Sequence, residues 1–259
     1  MFAAHLAGRY PSMGMTAGGL YDSIGRAYSG ARRTDRRIAN RIWAALDDAR
    51  TVLNVGAGTG SYEPSDRDVT AVEPSAIMRG QRPAGAAPCI AAQAESLPFT
   101  GRSFDAAMAV LSDHHWRDPI AGLRELHRVA RRVVVFQFDN QEFPRFWLVR
   151  DYLPEFAALA NDHPALAERA RAIGARAQPV PIPWDCFDGF FHAYWRRPEA
   201  YLDEAVRRGS SVWARLGPDV EARAVAALRA DLESGAWHER NADIASLDEL
   251  DAGYRLLVA

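Results

Sequence analysis

The sequence predicts an α/β protein built on a doubly wound, mostly parallel sheet, and three observations carry that expectation. Between Thr51 and Phe138 the short apolar runs TVLNV, VTAVE, APCIA, FDAAMAV and RVVVF alternate with helical or turn segments. Strands buried on both faces read as such continuous runs, and the alternation with helices argues a parallel sheet covered on both sides. The first run leads straight into the glycine turn GAGTG, a strand-to-helix transition of the kind found at the carboxyl edge of such sheets. Finally, 259 residues at 48% hydrophobic and 25% charged suffice for a sizeable core. No run approaches the roughly eighteen apolar residues of a membrane span, so a membrane partner is not expected.

The elements follow in order. Residues 1–20 lack the basic-then-apolar pattern of a secretory signal and read as a flexible tail, with Met13 or Met15 as possible true starts and a cytoplasmic location expected. Ile38, Ile42, Ala45 and Leu46 recur at helical spacing behind Thr34-Asp35, a good cap, so an amphipathic helix leads into the first strand. Asp118-Pro119 supplies the N-cap and first turn of a helix that turns Leu123, Leu126 and Val129 inward. After Asn140 the texture changes: twelve of the chain's twenty-six Phe, Trp and Tyr fall between Phe143 and Tyr201. A helical cap with its own small core explains that excess, and so does an aromatic-walled pocket over the sheet edge. The tail reads as a helix from Val220 to Leu232 and a last strand, GYRLLVA. We expect a single domain over 21–259.

Charge narrows the partners. Thirty-one basic against thirty-three acidic residues give a net charge of -2, leaving no surplus to drive binding to a phosphate backbone, so nucleic acid is not expected. Every basic residue is Arg and none is Lys, which with the abundant Ala fits a GC-rich bacterial genome; doublets such as Arg131-Arg132 read as solvated surface. Cys89 and Cys186 cannot make a structural zinc site by themselves and fit unpaired thiols in a reducing compartment.

The chemistry centres on Val52-Leu53-Asn54-Val55-Gly56-Ala57-Gly58-Thr59-Gly60. Glycines here let the backbone pass close to a cofactor, and Glu73, at the end of the second strand, lies beside the same loop, where a carboxylate accepts both ribose hydroxyls of a nucleoside. The dinucleotide fingerprint wants a glycine where Ser61 stands, and Pro64 leaves only a stub of helix. That spacing favours a nucleoside without phosphates.

With these segments in view the chain resembles the class I S-adenosylmethionine-dependent methyltransferases, and within them the small-molecule branch of ubiquinone-biosynthesis and trans-aconitate methyltransferases. Five segments in register carry the resemblance from about Tyr21 to Asn140: VLNVGAGTG, AVEPSAIM, AQAESLPF, FDAAMAV with SDHHW, and ELHRVARRVVVF. It implies a Rossmann-like seven-stranded doubly wound sheet with an antiparallel last strand, a sixth strand near Pro179 to Pro183, and a helical aromatic lid insertion over about 141–177. It implies S-adenosylmethionine as cofactor and a small-molecule substrate. Gly56, Ala57, Gly58 and Gly60 would wrap the methionine moiety, with Asn54 behind them; Glu73 would bind the ribose; Met78 would lie against the adenine, framed by Gln93, Ala94 and Glu95. Ala109 and Val110 would end the fourth strand beside the sulfonium. Tyr21 and Tyr28, seven apart, would belong to a gate helix within 21–48.

This chain departs from the family at Asn54, which stands where Asp or Glu is usual, and at Gln93, which replaces a common Asp; the family's PGG turn before the fifth strand is also absent. Candidate bases are His114 and His115, just after the fourth strand, and Asp139 at the end of the fifth; the alternative for either histidine is to cap the following loop or pack against Trp116. Asp113 with Asp139-Asn140 is similar to the metal ligands of catechol-type methyltransferases, although acids and amides at strand ends are common and no metal is expected. No motif for methylating DNA bases is present. An apolar or aromatic acceptor is expected, lined from Trp147, Tyr152, Trp184, Phe187, Phe190, Tyr194 and Trp195. Whether oxygen, nitrogen or carbon is methylated, and the oligomeric state, are left open by the sequence. A noncatalytic cofactor sensor or scaffold on the same fold is the alternative that Asn54 and the lack of an unambiguous base suggest.

Overall fold

The computed structural model describes residues 32–159 and 163–259. The expected tail and the gate-helix residues Tyr21 and Tyr28 lie outside the described residues.

Seven strands form one sheet: β1 (Thr51–Val55), β2 (Asp68–Val72), β3 (Cys89–Ile90), β4 (Phe104–Val110), β5 (Ala130–Phe138), β6 (Arg176–Pro179) and β9 (Tyr254–Val258), in the order β3-β2-β1-β4-β5-β9-β6. All are parallel except β9, which runs antiparallel to both β5 and β6. The strand order reverses direction between β1 and β4, and the carboxyl ends at such a reversal are where α/β sheets open a crevice.

Side-chain alternation splits the core. Val52, Ala106, Met108, Val134 and Phe136 face one layer with Ile38 and Ile42 of α1 (Arg36–Ala45) and Leu46 just after it. Leu53, Val55, Ala107, Ala109, Val133 and Val135 face the other, against Leu123, Leu126 and Val129 of α3 (Pro119–Val129). Both expected caps are in place: the Asp35 carboxylate accepts from the Arg37 amide at 2.9 Å and Asp118 from the Ala121 amide at 3.0 Å. A short helix, α2 (Ala76–Gly80), follows β2, capped by Ser75.

The sixth strand corrects the sequence reading. It covers Arg176–Pro179, not Pro179–Pro183, and all four residues are exposed because β6 is the sheet edge. An edge strand with no buried side chain leaves no apolar signature, and the buried Val180 and Ile182 drew the reading forward. Ile182–Pro183 instead forms β7, which pairs with β8 (Glu249–Leu250) in a separate ribbon.

The expected lid segment divides. Its first part, a 3-10 turn over Asn140–Arg145 followed by α4 (Trp147–Tyr152) and α5 (Pro154–Leu159), joins the aromatic layer, whereas α6 (Leu166–Ala172) packs on α3 and the sheet. The rest of the layer comes from downstream: α7 (Glu204–Arg208), α8 (Ser211–Leu216), α9 (Pro218–Ser234) and α10 (Ala236–Arg240). Trp147 donates its indole N–H to the Trp195 carbonyl at 2.8 Å, and Trp195 donates to the Ile182 carbonyl at 3.0 Å. Trp147, Tyr152 and Trp195 are therefore the core of this cap, not pocket walls, while Trp184 and Phe187 lie on the outer surface. Among the described residues, no helix is long and apolar enough to cross a membrane.

Candidate active site

Two cavities open at the carboxyl edge of the sheet. The first lies around the turn after β1. Gly56, Gly58 and Gly60 have φ of +68°, +53° and +97°, the left-handed region that L side chains disfavour. At Gly56 a Cβ would also stand 2.6 Å from the Ser112 Cβ, so the turn depends on glycine twice over. The Gly56 and Ala57 amides both donate to the Val72 carbonyl, which clamps the loop onto the end of β2.

Glu73 sits beside that loop, 7% exposed, and its carboxylate accepts from the Gly58 and Ser75 amides, both at 2.9 Å. Burial pushes its pKa above the ordinary 4.5, opposed by those amides and by the charges of Arg79 and Arg82. The cavity, about 740 Å³ including its open mouth, is lined by Asn54, Gly56, Ala57, Gly58, Glu73, Met78 and Val110 of the residues expected from the sequence. It is also lined by Arg32, Tyr62, Leu111, Ser112, His115 and Trp116.

The remaining expected residues fall outside it. Gly60 shapes the turn, its amide donating to the Ala57 carbonyl. Ala109 is fully buried on the opposite sheet face, as alternation along β4 requires. Gln93 is exposed, and Glu95 accepts from the Asp118 amide at 3.0 Å. Ala94 is buried, and beside it Trp116 crosses so close to Gly122 that a Cβ there would meet the indole at 2.4 Å. Trp116 is the member of this group that reaches the cavity.

Asn54 explains its own departure. Its amide donates to Glu63 at 3.0 Å, and Glu63 is paired by Arg82 at 2.9 Å, all three largely buried. A carboxylate thus stands next to Asn54, contributed by Glu63 of the next loop and paired by Arg82. No local motif marks Glu63, since the pairing exists only once the turn is folded.

The second cavity encloses about 650 Å³ with its mouth and is walled by Phe138, Phe143, Phe156, Phe190, Phe191 and Tyr254. His114, His163 and His192 also line it, as do Arg32 and Arg215. Of the aromatic residues expected around an acceptor, Phe190 alone lines this cavity. Arg32 and Leu111 line both cavities, so the two adjoin. Leu111 has φ +50°, a strained conformation for a branched side chain, at the point of junction. Arg32 is held there by Asp188, a fully buried carboxylate that also accepts from the Tyr62 hydroxyl at 2.9 Å.

The paired histidines part company. His115 faces the glycine-loop cavity and His114 the aromatic one, their rings 3.8 Å apart. Burial, then the charges of His163, Arg215 and Arg32, pushes His115 down to about 3, and burial together with His115 holds His114 well below 6.5. Both imidazoles are neutral at pH 7 and hold a proton poorly. Asp139 lines neither cavity; it caps the following turn, accepting from the Gln141 amide at 3.1 Å. Asp113 is spoken for by the buried Arg169, which donates to it at 2.9 Å and to the Phe138 carbonyl at 2.9 Å. No cluster of three metal-ligating side chains occurs among the described residues.

Comparison with known proteins places this geometry. A methyltransferase-domain family matches residues 53–136. The chain is 31% identical over 145 residues to a ubiquinone/menaquinone biosynthesis C-methyltransferase of Geobacter sp. strain M21, covering 49% of this chain and 61% of that protein. It is 31% identical over 159 residues to a demethylmenaquinone methyltransferase of Renibacterium salmoninarum, covering 54% and 66%. The chain therefore spans about three fifths of the length of the first of these curated relatives. A solved structure from Anabaena variabilis, named as a methyltransferase from an antibiotic biosynthesis pathway, is 32% identical with a TM-score of 0.83, over 88% of this chain and 98% of that one.

The chain belongs to the class I S-adenosylmethionine-dependent methyltransferases. The family's cofactor, S-adenosylmethionine, suits the first cavity: a glycine turn open to close approach, a buried carboxylate with lone pairs left for a ribose, and the apolar Met78 and Trp116.

Proposed function

We propose that this protein transfers the methyl group of S-adenosylmethionine to a small aromatic or largely apolar acceptor held in the second cavity. The observation that carries the reading is the junction: a nucleoside-sized cavity at the glycine turn adjoins an aromatic-walled one, with Arg32 and Leu111 common to both. Glu73 accepts the ribose hydroxyls, the Gly56 to Gly58 backbone follows the methionine moiety, Met78 contacts the adenine, and Val110 and Leu111 sit where the reacting centre lies. When bound, the cofactor supplies an electrophilic methyl on a sulfonium, whose carbon–sulfur bond breaks with its electron pair returning to sulfur.

The residues' contribution is alignment and exclusion of water, the main requirement of an in-line displacement. Phe138, Phe143 and Phe190 fix the plane of the acceptor, and the Arg32-Asp188 pair closes the seam. A neutral His115 with a pKa near 3 is a weak base, so the geometry favours an acceptor whose nucleophilic atom needs no strong base. The residue charge balance supports a metabolite over nucleic acid. Incubation with S-adenosylmethionine and a metabolite library, read as S-adenosylhomocysteine formed, tests the reading. Tight cofactor binding with no product from any extract would favour the noncatalytic sensor instead.

A further inference from the structure

We propose that the Asp113-Arg169 pair orients His114 so that its Nδ1 keeps the ring hydrogen and its Nε2 offers a lone pair to the aromatic cavity, which thereby selects an acceptor carrying a hydroxyl. The inference rests on the methyl-transfer reading only in taking this cavity to be the acceptor's.

The carboxylate comes first, because its position is fixed. Arg169 reaches in from α6, donates to Oδ2 of Asp113 at 2.9 Å and is itself tied to the Phe138 carbonyl at 2.9 Å, at the end of β5. Asp113 is fully buried, and its second oxygen, Oδ1, has no hydrogen-bond partner among the described residues. The His114 Nδ1 stands 4.0 Å from that oxygen and is likewise buried without a hydrogen-bond partner among the described residues.

These two atoms decide the tautomer. A carboxylate paired to a guanidinium only accepts, and a bare Nδ1 would set lone pair against lone pair where no water screens them. A hydrogen on Nδ1 turns the same approach into an attraction, and a small rotation of the ring shortens it to a hydrogen bond. The imidazole carries a single N–H at neutral pH, since burial and then the charge of His115 hold its pKa well below 6.5. With that hydrogen on Nδ1, Nε2 is left as an acceptor.

The open edge of the ring is the one that carries Nε2. His114 lines the aromatic cavity, and its side chain is 13% exposed although Nδ1 is buried. The ring is held between His115 and Phe138, with centroids 3.8 and 4.8 Å away. A ligand O–H donates to such a nitrogen, whereas an ether oxygen in the same place opposes lone pairs.

Two measurements test this on the full chain. In nitrogen-labelled protein at pH 7, the long-range proton–nitrogen NMR spectrum should show His114, identified by the signals lost in His114→Phe, as the Nδ1–H form; the Nε2–H form would overturn the inference. Fluorescence titration with 2-naphthol and its methyl ether, with and without saturating S-adenosylhomocysteine, should favour the naphthol about tenfold, the worth of one hydrogen bond. His114→Phe, which fits among the neighbouring rings, should bring that ratio to roughly one, since the hydrogen bond is gone. Asp113→Asn still accepts from Arg169 but donates to Nδ1, so it should switch His114 to the Nε2–H form and erase the preference; a merely structural role for Asp113 would leave the tautomer unchanged. If that variant does not fold, the wild-type spectrum and His114→Phe decide alone. An ether that binds wild type as tightly as the naphthol, a ratio unmoved by His114→Phe, or no binding by either probe would overturn the inference. Titration of S-adenosylhomocysteine on the same samples reports separately: failure there alone removes the cofactor reading and leaves the cavity's hydroxyl preference standing.

Discussion

Replacing Glu73 examines the cofactor site at its most constrained point. The carboxylate already satisfies the Gly58 and Ser75 amides at 2.9 Å each, and its remaining lone pairs are the ones assigned to the ribose. Hydrogen bonds to a charged group contribute about 1.5 to 3 kcal/mol, so Glu73→Ala should weaken S-adenosylhomocysteine binding roughly 10- to 150-fold. Glu73→Gln keeps one acceptor oxygen and should fall between. A pH dependence accompanies the substitution. Because burial raises the Glu73 pKa above 4.5, protonation and loss of affinity should begin at a higher pH than for an exposed glutamate. The same shift means that the buried carboxylate costs folding stability at neutral pH, and that this cost is relieved as pH falls through the folded pKa. Calorimetric titration of wild type and both variants from pH 7.5 downward measures all of this. If Glu73→Ala binds within threefold of wild type at pH 7.5, the ribose does not sit on Glu73.

Other residues give equally definite expectations. Gly122→Ala must displace Trp116, since its Cβ would come within 2.4 Å of the indole; overpacking of this kind costs about 1 to 3 kcal/mol, and S-adenosylhomocysteine affinity should fall with it. Arg169→Ala strands the fully buried Asp113 carboxylate and should lower unfolding free energy by about 3 to 5 kcal/mol in urea. An unchanged urea midpoint would show that the pair is dispensable. His115 and His192 both have folded pKa values pushed by burial from 6.5 to about 3. The unfolded chain takes up these protons below pH 6.5 and the folded chain does not until about 3, so stability should decline as pH drops through that window. Thermal melts that stay flat from pH 7 to 5 would contradict the burial of these imidazoles. The same depressed values predict a turnover rate with no histidine limb near pH 6.5, and a limb there would restore a base role for His114 or His115.

What the sequence disclosed follows from where the information is local. Asp35 and Asp118 were legible as caps because a capping side chain and its amide lie within three residues, and the strands because buried parallel strands are written as apolar runs. The glycine turn and Glu73 were legible for the same reason: each closes a strand that the pattern had already marked. Tertiary substitutions were not. Glu63 accepts from Asn54 across a fold contact, and Trp116 reaches the cavity where Gln93 and Glu95 were expected. The aromatic excess was visible, but composition does not say which rings face inward, so Trp147 and Trp195 belong to the cap's core while Phe138 and Tyr254, on the sheet strands, wall the cavity. Arg169, which fixes Asp113 from α6, carries no local signature at all.

A crystal structure with S-adenosylhomocysteine bound would show whether a cofactor cavity and an acceptor cavity meet at Leu111 and Arg32. Ribose hydroxyls are expected on Glu73, the methionine moiety along Gly56 to Gly58, and the sulfur facing an open passage into the space walled by Phe138, Phe143 and Phe190. A sulfur separated from that space by a closed Leu111 wall, or a ligand bound away from the glycine turn, would contradict that expectation.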